Sequence, residues 1–156
     1  MRKTAAAMGA MILLVGGLRV VRAHEANLPA GPIQDRHELM EGIGKNAKII
    51  GDSLKAGGAG DRLKIGDAAL KIQTSAAKIA PLFPPGSTDP KSRAKPEIWT
   101  HWDKFQENAK KLEATSGELA NAAQSGGDVK MAADTMFGAC KSCHDEFRVP
   151  EKKGKK

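Results

Sequence analysis

The residues best suited to chemistry in this chain are Cys140, Cys143 and His144, which lie within the stretch CKSCHDEFR. The two cysteines are the only ones present. Their types allow a metal site, a redox dithiol or a covalent anchor for haem. A structural zinc site wants four ligands, usually with a second Cys or His pair at short spacing. His24, His37 and His101 are scattered, and none pairs with another at such spacing. A thioredoxin-like dithiol opens a helix that follows a strand, whereas this pair sits in the last third of a helical pattern. Haem attachment needs no further motif, because C-x-x-C-H is itself its signature. On a helix, Cys140 and Cys143 occupy neighbouring parts of one face and can both reach the vinyl groups of a flat macrocycle. His144, four residues after Cys140, projects from the same face and can bring a ring nitrogen under the iron.

The elements that must position these residues are helical. Met40, Ile43, Ala47, Ile50 and Leu54 form one apolar series, and Ile65, Ala69, Ile72, Ala76 and Ile79 form a second. Ile98, Trp102, Phe105, Ala109, Leu112, Ser116 and Leu119 form a third, and Val129, Ala133, Met136, Cys140, Cys143 and Phe147 a fourth. Spacing that alternates between three and four residues places each series on one stripe of a helix. No segment alternates like a strand over a useful length. The fold class expected is all-α, an antiparallel four-helix bundle. Pro32 opens the first helix, and Gly57, Gly58 and Gly60 separate it from the second, for which Asp61 is the expected N-cap and Pro81 the end. PLFPPGSTDPKSRAKP, residues 81–96, is too rich in proline for a helix and forms a long crossover. Pro96 opens the third helix, Gly126 and Gly127 end it, and Asp128 caps the fourth. Alanine and glycine fill many core positions, which predicts either close helix packing or room for something bulky and apolar.

The N-terminus, MRKTAAAMGAMILLVGGLRVVRAHE, has a basic start, an apolar run and a small-x-small pattern at Val21-Arg22-Ala23. It is expected to be a signal peptide over residues 1–23, leaving a single domain over residues 24–156 that is exported to the periplasm. Of the 25 basic and 18 acidic residues in the chain, the leader holds Arg2, Lys3, Arg19 and Arg22 and no acid. Lys152, Lys153, Lys155 and Lys156 belong to a basic tail, residues 151–156. The body is therefore close to neutral, and its charge gives no argument for nucleic acid. Export also permits disulfides, but two cysteines three apart would close only a small strained ring.

With the attachment motif near the end of a four-helix bundle, the chain resembles a class II cytochrome c, the cytochrome c′ family with its low-spin cytochrome c-556 branch. RHELM, with Arg36 and Met40, is similar to the opening helix of that family. FPPGS followed by SRAKPEIW is similar to its crossover and third helix, and ACKSCHDEFR to its haem helix. The resemblance implies one haem c per chain, thioether bonds at Cys140 and Cys143, axial ligation by His144, and Arg148 near the proximal face of the haem. It also places Met40 on the distal side of the iron, where a thioether would be a soft, neutral sixth ligand. Met40 has a plainer reading too, as a packing residue that continues its stripe.

His37 is a second possible distal ligand, expected nearer the helix end and more exposed. Met136 lies on the haem helix itself and is badly placed for the opposite face. Trp99, Trp102, Phe105 and Phe147 are expected to be core or haem-wall residues.

The function expected is a periplasmic one-electron carrier with His/Met ligation that transforms no substrate. Its partners would be periplasmic or membrane-bound redox proteins, with a homodimer through the first two helices possible in such a family. The alternative is a five-coordinate protein that binds or sequesters nitric oxide or carbon monoxide. A peroxidase is a third reading, for which the first helix offers only His37 and Glu38 as acid-base groups.

Overall fold

The structure is a computed structural model that describes residues 28–57 and 59–150. The expected leader, His24 and the basic tail lie outside the described residues. The chain folds into α1 (Pro32–Ala56), α2 (Ala59–Ala76), α3 (Glu97–Thr100), α4 (Trp102–Ser125) and α5 (Val129–Phe147), with a 3-10 turn at Ala80–Leu82. Among the described residues there is no β-strand, only an isolated bridge between Ala94 and Arg148. The four long helices form the expected all-α bundle.

The helix ends follow the local chemistry. Pro32 occupies the first turn of α1, where its missing N–H costs no hydrogen bond. Gly57 and Gly126 end α1 and α4 with φ of 70° and 80°, a left-handed conformation that glycine adopts without strain. The Asp128 carboxylate caps α5 by accepting from the Met131 amide at 2.9 Å.

Three boundaries differ from the sequence expectation. α2 begins at Ala59, so Asp61 lies inside its first turn rather than at the cap. α2 also ends at Ala76, ahead of Pro81. The proline ring would strike the carbonyl four residues earlier, at Ala77, and the chain tightens beforehand through Lys78 N–H to Ser75 O and Ile79 N–H to Ala76 O. The third helix is broken into α3 and α4 at His101, whose φ and ψ are −122° and 48°. Trp99 is tied to the crossover there, its indole N–H shared between the carbonyls of Phe83 (3.2 Å) and Pro84 (3.0 Å). The turn that satisfies Trp99 is not collinear with the helix that buries Phe105.

Small residues mark the tightest seam, between α2 and α4. A Cβ on Gly66 would stand 3.5 Å from Ala123 Cβ, and one on Gly117 would stand 2.6 Å from Gln73 Nε2. Ala69, Ala76 and Ala120 are buried on the same two helices. At this seam alanine and glycine therefore serve close approach, the first of the two options. α1 packs on α2 and α5 on α4, but α1 and α5 hardly touch. The open space of the bundle lies between those two, walled by large side chains.

Among the described residues no helix is long and apolar enough to cross a membrane. Replacing Ala69, which is 0% exposed, with leucine should overpack the bundle interior and cost about 1–3 kcal/mol. A lowered urea midpoint with an unchanged slope would register it.

Candidate haem site

The end of α1 near its N-terminus and the end of α5 near its C-terminus flank a cavity of about 360 Å³, within the roughly 300–1,000 Å³ of small-molecule and cofactor sites. α1 contributes Ile33, Arg36, His37, Met40 and Glu41, α5 contributes Cys143, His144 and Phe147, and Arg148 follows directly after α5. The crossover adds Phe83 and the run Lys91, Ser92, Arg93 and Ala94, while Ile98 and Phe105 supply apolar surface from α3 and α4. Phe105 stands edge-on to Phe83 at 4.8 Å and to Phe147 at 5.4 Å between centroids, so three segments are welded by one aromatic cluster.

The structure thus gathers Met40, Cys143, His144 and Arg148 around one space. Cys140 lies one turn earlier on α5, half-buried against the core, and does not itself line the cavity. His37 lines it together with Met40, and its Nε2 stands 3.5 Å from Glu41 Oε1 with the imidazole still 41% exposed. Met136 is fully buried in the core away from this space, as its place on the stripe required. Phe105 and Phe147 form its walls, Trp102 packs beside Phe105, and Trp99 braces the crossover.

Burial sets the protonation states. It pushes the Cys140 thiol above its ordinary range. It raises Cys143 to about 11, with Cys140 and Glu146 adding to the effect and Arg148 opposing it. Both sulfurs are therefore thiols at neutral pH, a poor state for zinc ligation or disulfide exchange, which work through thiolate. His144 is held below its ordinary value, first by burial and then by the charges of Arg148 and Arg93. Its imidazole is neutral and can offer a lone pair. Among the described residues no group of three or more His, Cys, Asp or Glu could hold a metal ion by itself.

Arg36 is the residue whose structural role the sequence did not disclose. It is 4% exposed, and burial lowers its pKa. Its guanidinium lies 4.7 Å over the Phe83 ring and donates to Ser87 Oγ (2.8 Å), Ser87 O (2.7 Å) and Ser92 Oγ (3.2 Å). A buried cation held by neutral oxygens is costly unless every donor is used, so α1 and the crossover are strongly tied. Lys91, Ser92 and Arg93 at the cavity were likewise unassigned by sequence reasoning. Ser92 and Arg93 belong to the SRAKP run, which carried a resemblance but no role, and Lys91 precedes it.

The residues present suit a haem. Two thiols one turn apart on α5, a neutral imidazole next to the second, flat aromatic and aliphatic walls, and the cations Arg36, Lys91, Arg93 and Arg148 match its vinyl groups, iron, ring and propionates in kind.

A family model described as Cytochrome C' matches residues 31–148. The chain belongs to the cytochrome c′ family. A cytochrome c-556 from Agrobacterium tumefaciens is 31% identical over 121 residues, which cover 77% of this chain and 98% of that one. A cytochrome c′ from Rhodopseudomonas palustris is 28% identical over 139 residues, covering 88% and 95%. The solved structure of cytochrome c′ from Rhodopseudomonas palustris superposes with a TM-score of 0.70 at 27% identity, covering 80% of this chain and all of that one. Cytochromes of this class bind one covalent haem c per chain, act as electron carriers or gas-binding proteins, and are periplasmic and often dimeric.

Two of the shifted groups, His144 and Cys143, make opposite demands on pH in the haem-free chain. A histidine depressed when folded gives stability that is lost as pH falls below its ordinary 6.5. A thiol raised from 9.0 to about 11 gives stability that is lost as pH climbs between those values. Urea midpoints of haem-free protein should fall on both sides of neutral pH. His144→Gln should flatten the acid side and Cys143→Ala the alkaline side.

Proposed function

We propose that this protein is a periplasmic one-electron carrier, exported by its first 23 residues, with haem c held through thioethers at Cys140 and Cys143. In this reading His144 is the proximal axial ligand and Met40 the distal one. Arg148 lies toward the proximal side. The bound haem supplies an iron that changes by one electron between ferric and ferrous states. The observation that carries the reading is that Met40 and His144 line the same cavity from α1 and α5, two helices that hardly touch elsewhere.

Each side chain has a definable task. Burial keeps the His144 imidazole neutral and therefore able to ligate. Met40 is half-buried at the cavity, and its thioether offers a soft, uncharged donor that favours the ferrous state and raises the potential. Phe83, Ile98, Phe105 and Phe147 exclude water from the ring faces. Exchange of electrons with periplasmic or membrane-bound redox proteins would proceed across the open side of the cavity. Pairing of two copies through α1 and α2 is consistent with the half-exposed Ile49 and Leu70 on those helices.

Protein matured in a host competent for haem attachment should be coloured, and its haem should resist extraction by acid acetone. The Cys140→Ala, Cys143→Ala double variant should lose that resistance. The distal assignment is checked by visible spectra with and without carbon monoxide. Wild type should be low-spin and indifferent to the gas, and Met40→Ala high-spin and readily carbonylated. A high-spin wild type that binds the gas would instead favour the five-coordinate, gas-binding function.

A further inference from the structure

The last four carbonyls of any α-helix have no partner within the helix. In α5 those belong to His144, Asp145, Glu146 and Phe147, and each has a partner. The Arg148 amide donates to His144 O at 3.1 Å. The remaining three are all served by one residue of the crossover. Lys95 Nζ donates to Asp145 O at 3.1 Å and to Glu146 O at 2.9 Å, and the Lys95 amide donates to Phe147 O at 3.0 Å. An ammonium at this place also complements the negative end of the helix dipole.

The chain on either side of Lys95 extends the attachment in both directions. Toward α5, the Val149 amide donates to Arg93 O at 2.8 Å, and Arg93 Nε donates to Val149 O at 3.0 Å. Toward α1, Ser92 Oγ accepts from Arg36 at 3.2 Å and from the Ala94 amide at 3.3 Å. Four consecutive residues, Ser92 to Lys95, therefore tie the turn that bears His144 to the helix that bears Met40. Nothing comparable joins α1 and α5 directly.

We infer that Lys95 is a positioning residue for His144: by holding the final turn of α5 to the crossover, it fixes the direction from which the imidazole meets the iron. The inference rests on His144 being the proximal ligand. A lysine that only stabilised the fold would lower the melting point without altering the haem of the folded protein.

The test compares haem-loaded wild type with K95M, K95R and a control, K104M. Lys104 pairs with the Glu146 side chain at 2.8 Å on the same turn of α5, so K104M removes an equal charge nearby without touching the carbonyls. The expected result is amide exchange at Phe147, Arg148 and Val149 faster by about tenfold in K95M than in K104M, together with a larger shift of the reduction midpoint. K95R, which retains donors and charge, should restore both. If K95M yields no folded protein, K95Q is measured in its place against the same criteria. A midpoint in K95M that moves no further than in K104M, or a K95R that restores neither quantity, overturns the inference while leaving the ligand assignment intact. Wild-type protein whose haem is not ligated by His144 overturns both.

Discussion

The whole arrangement depends on one gap in an otherwise closed ring of helices. α1 packs on α2, α2 on α4 and α4 on α5, but α1 and α5 stay apart. At the α2–α4 seam Gly66 meets Ala123 and Gly117 meets Gln73, contacts that leave little or no room for a larger residue at either glycine. The flanking helices meet the cavity with Met40, Phe147 and, from the crossover, Phe83. Such side chains cannot collapse into a space they line from different segments, because aromatic contacts at 4.8 and 5.4 Å already lock three of those segments together. A void of this size would ordinarily destabilise a bundle. A flat, largely apolar macrocycle would fill it, so binding and folding of such a domain are expected to be coupled.

Charge around that gap is mostly positive, with Glu41 the one carboxylate among its lining residues. Arg36 is buried without a carboxylate among the groups it donates to, and Arg93 and Arg148 both act on His144 to disfavour its protonation. They add to burial, the larger cause, in keeping the imidazole neutral, and they would present positive potential to the propionates of a haem. Away from the cavity, Lys130–Asp134 at 2.8 Å on α5 and Lys55–Asp52 at 4.0 Å on α1 are exposed pairs within one helix. Pairs of that kind contribute little to stability.

Much of this was legible in the residues. The 3,4 spacing of apolar positions gave four helices because a stripe on a 3.6-residue helix can be buried in only one direction. Glycines at 57 and 126, Pro32 and Asp128 marked their ends through local backbone preferences that need no tertiary context. The break at His101 was not legible, since the stripe Ile98, Trp102, Phe105 runs through it unchanged. It arises from the Trp99 indole reaching carbonyls of Phe83 and Pro84, a contact between segments separated by a loop. The true start of α2 and the early end before Pro81 escaped for a similar reason: caps and 3-10 turns depend on which neighbours satisfy the backbone.

By itself the sequence determined that two thiols and an imidazole share one face of the final helix, and that three other helices accompany it. Those facts follow from covalent spacing and helical period alone. Only the tertiary structure decided that Met40 and His144 confront the same cavity, that Cys140 does not line it, and that the crossover is held to α1 by Arg36 and to α5 by its own Lys95. These depend on distances between residues remote in the chain, such as Lys95 and Glu146, 51 positions apart. Local propensity carries no information about such distances. They are set by packing, which brings remote segments together, and by the need of buried carbonyls and cations for partners once they arrive.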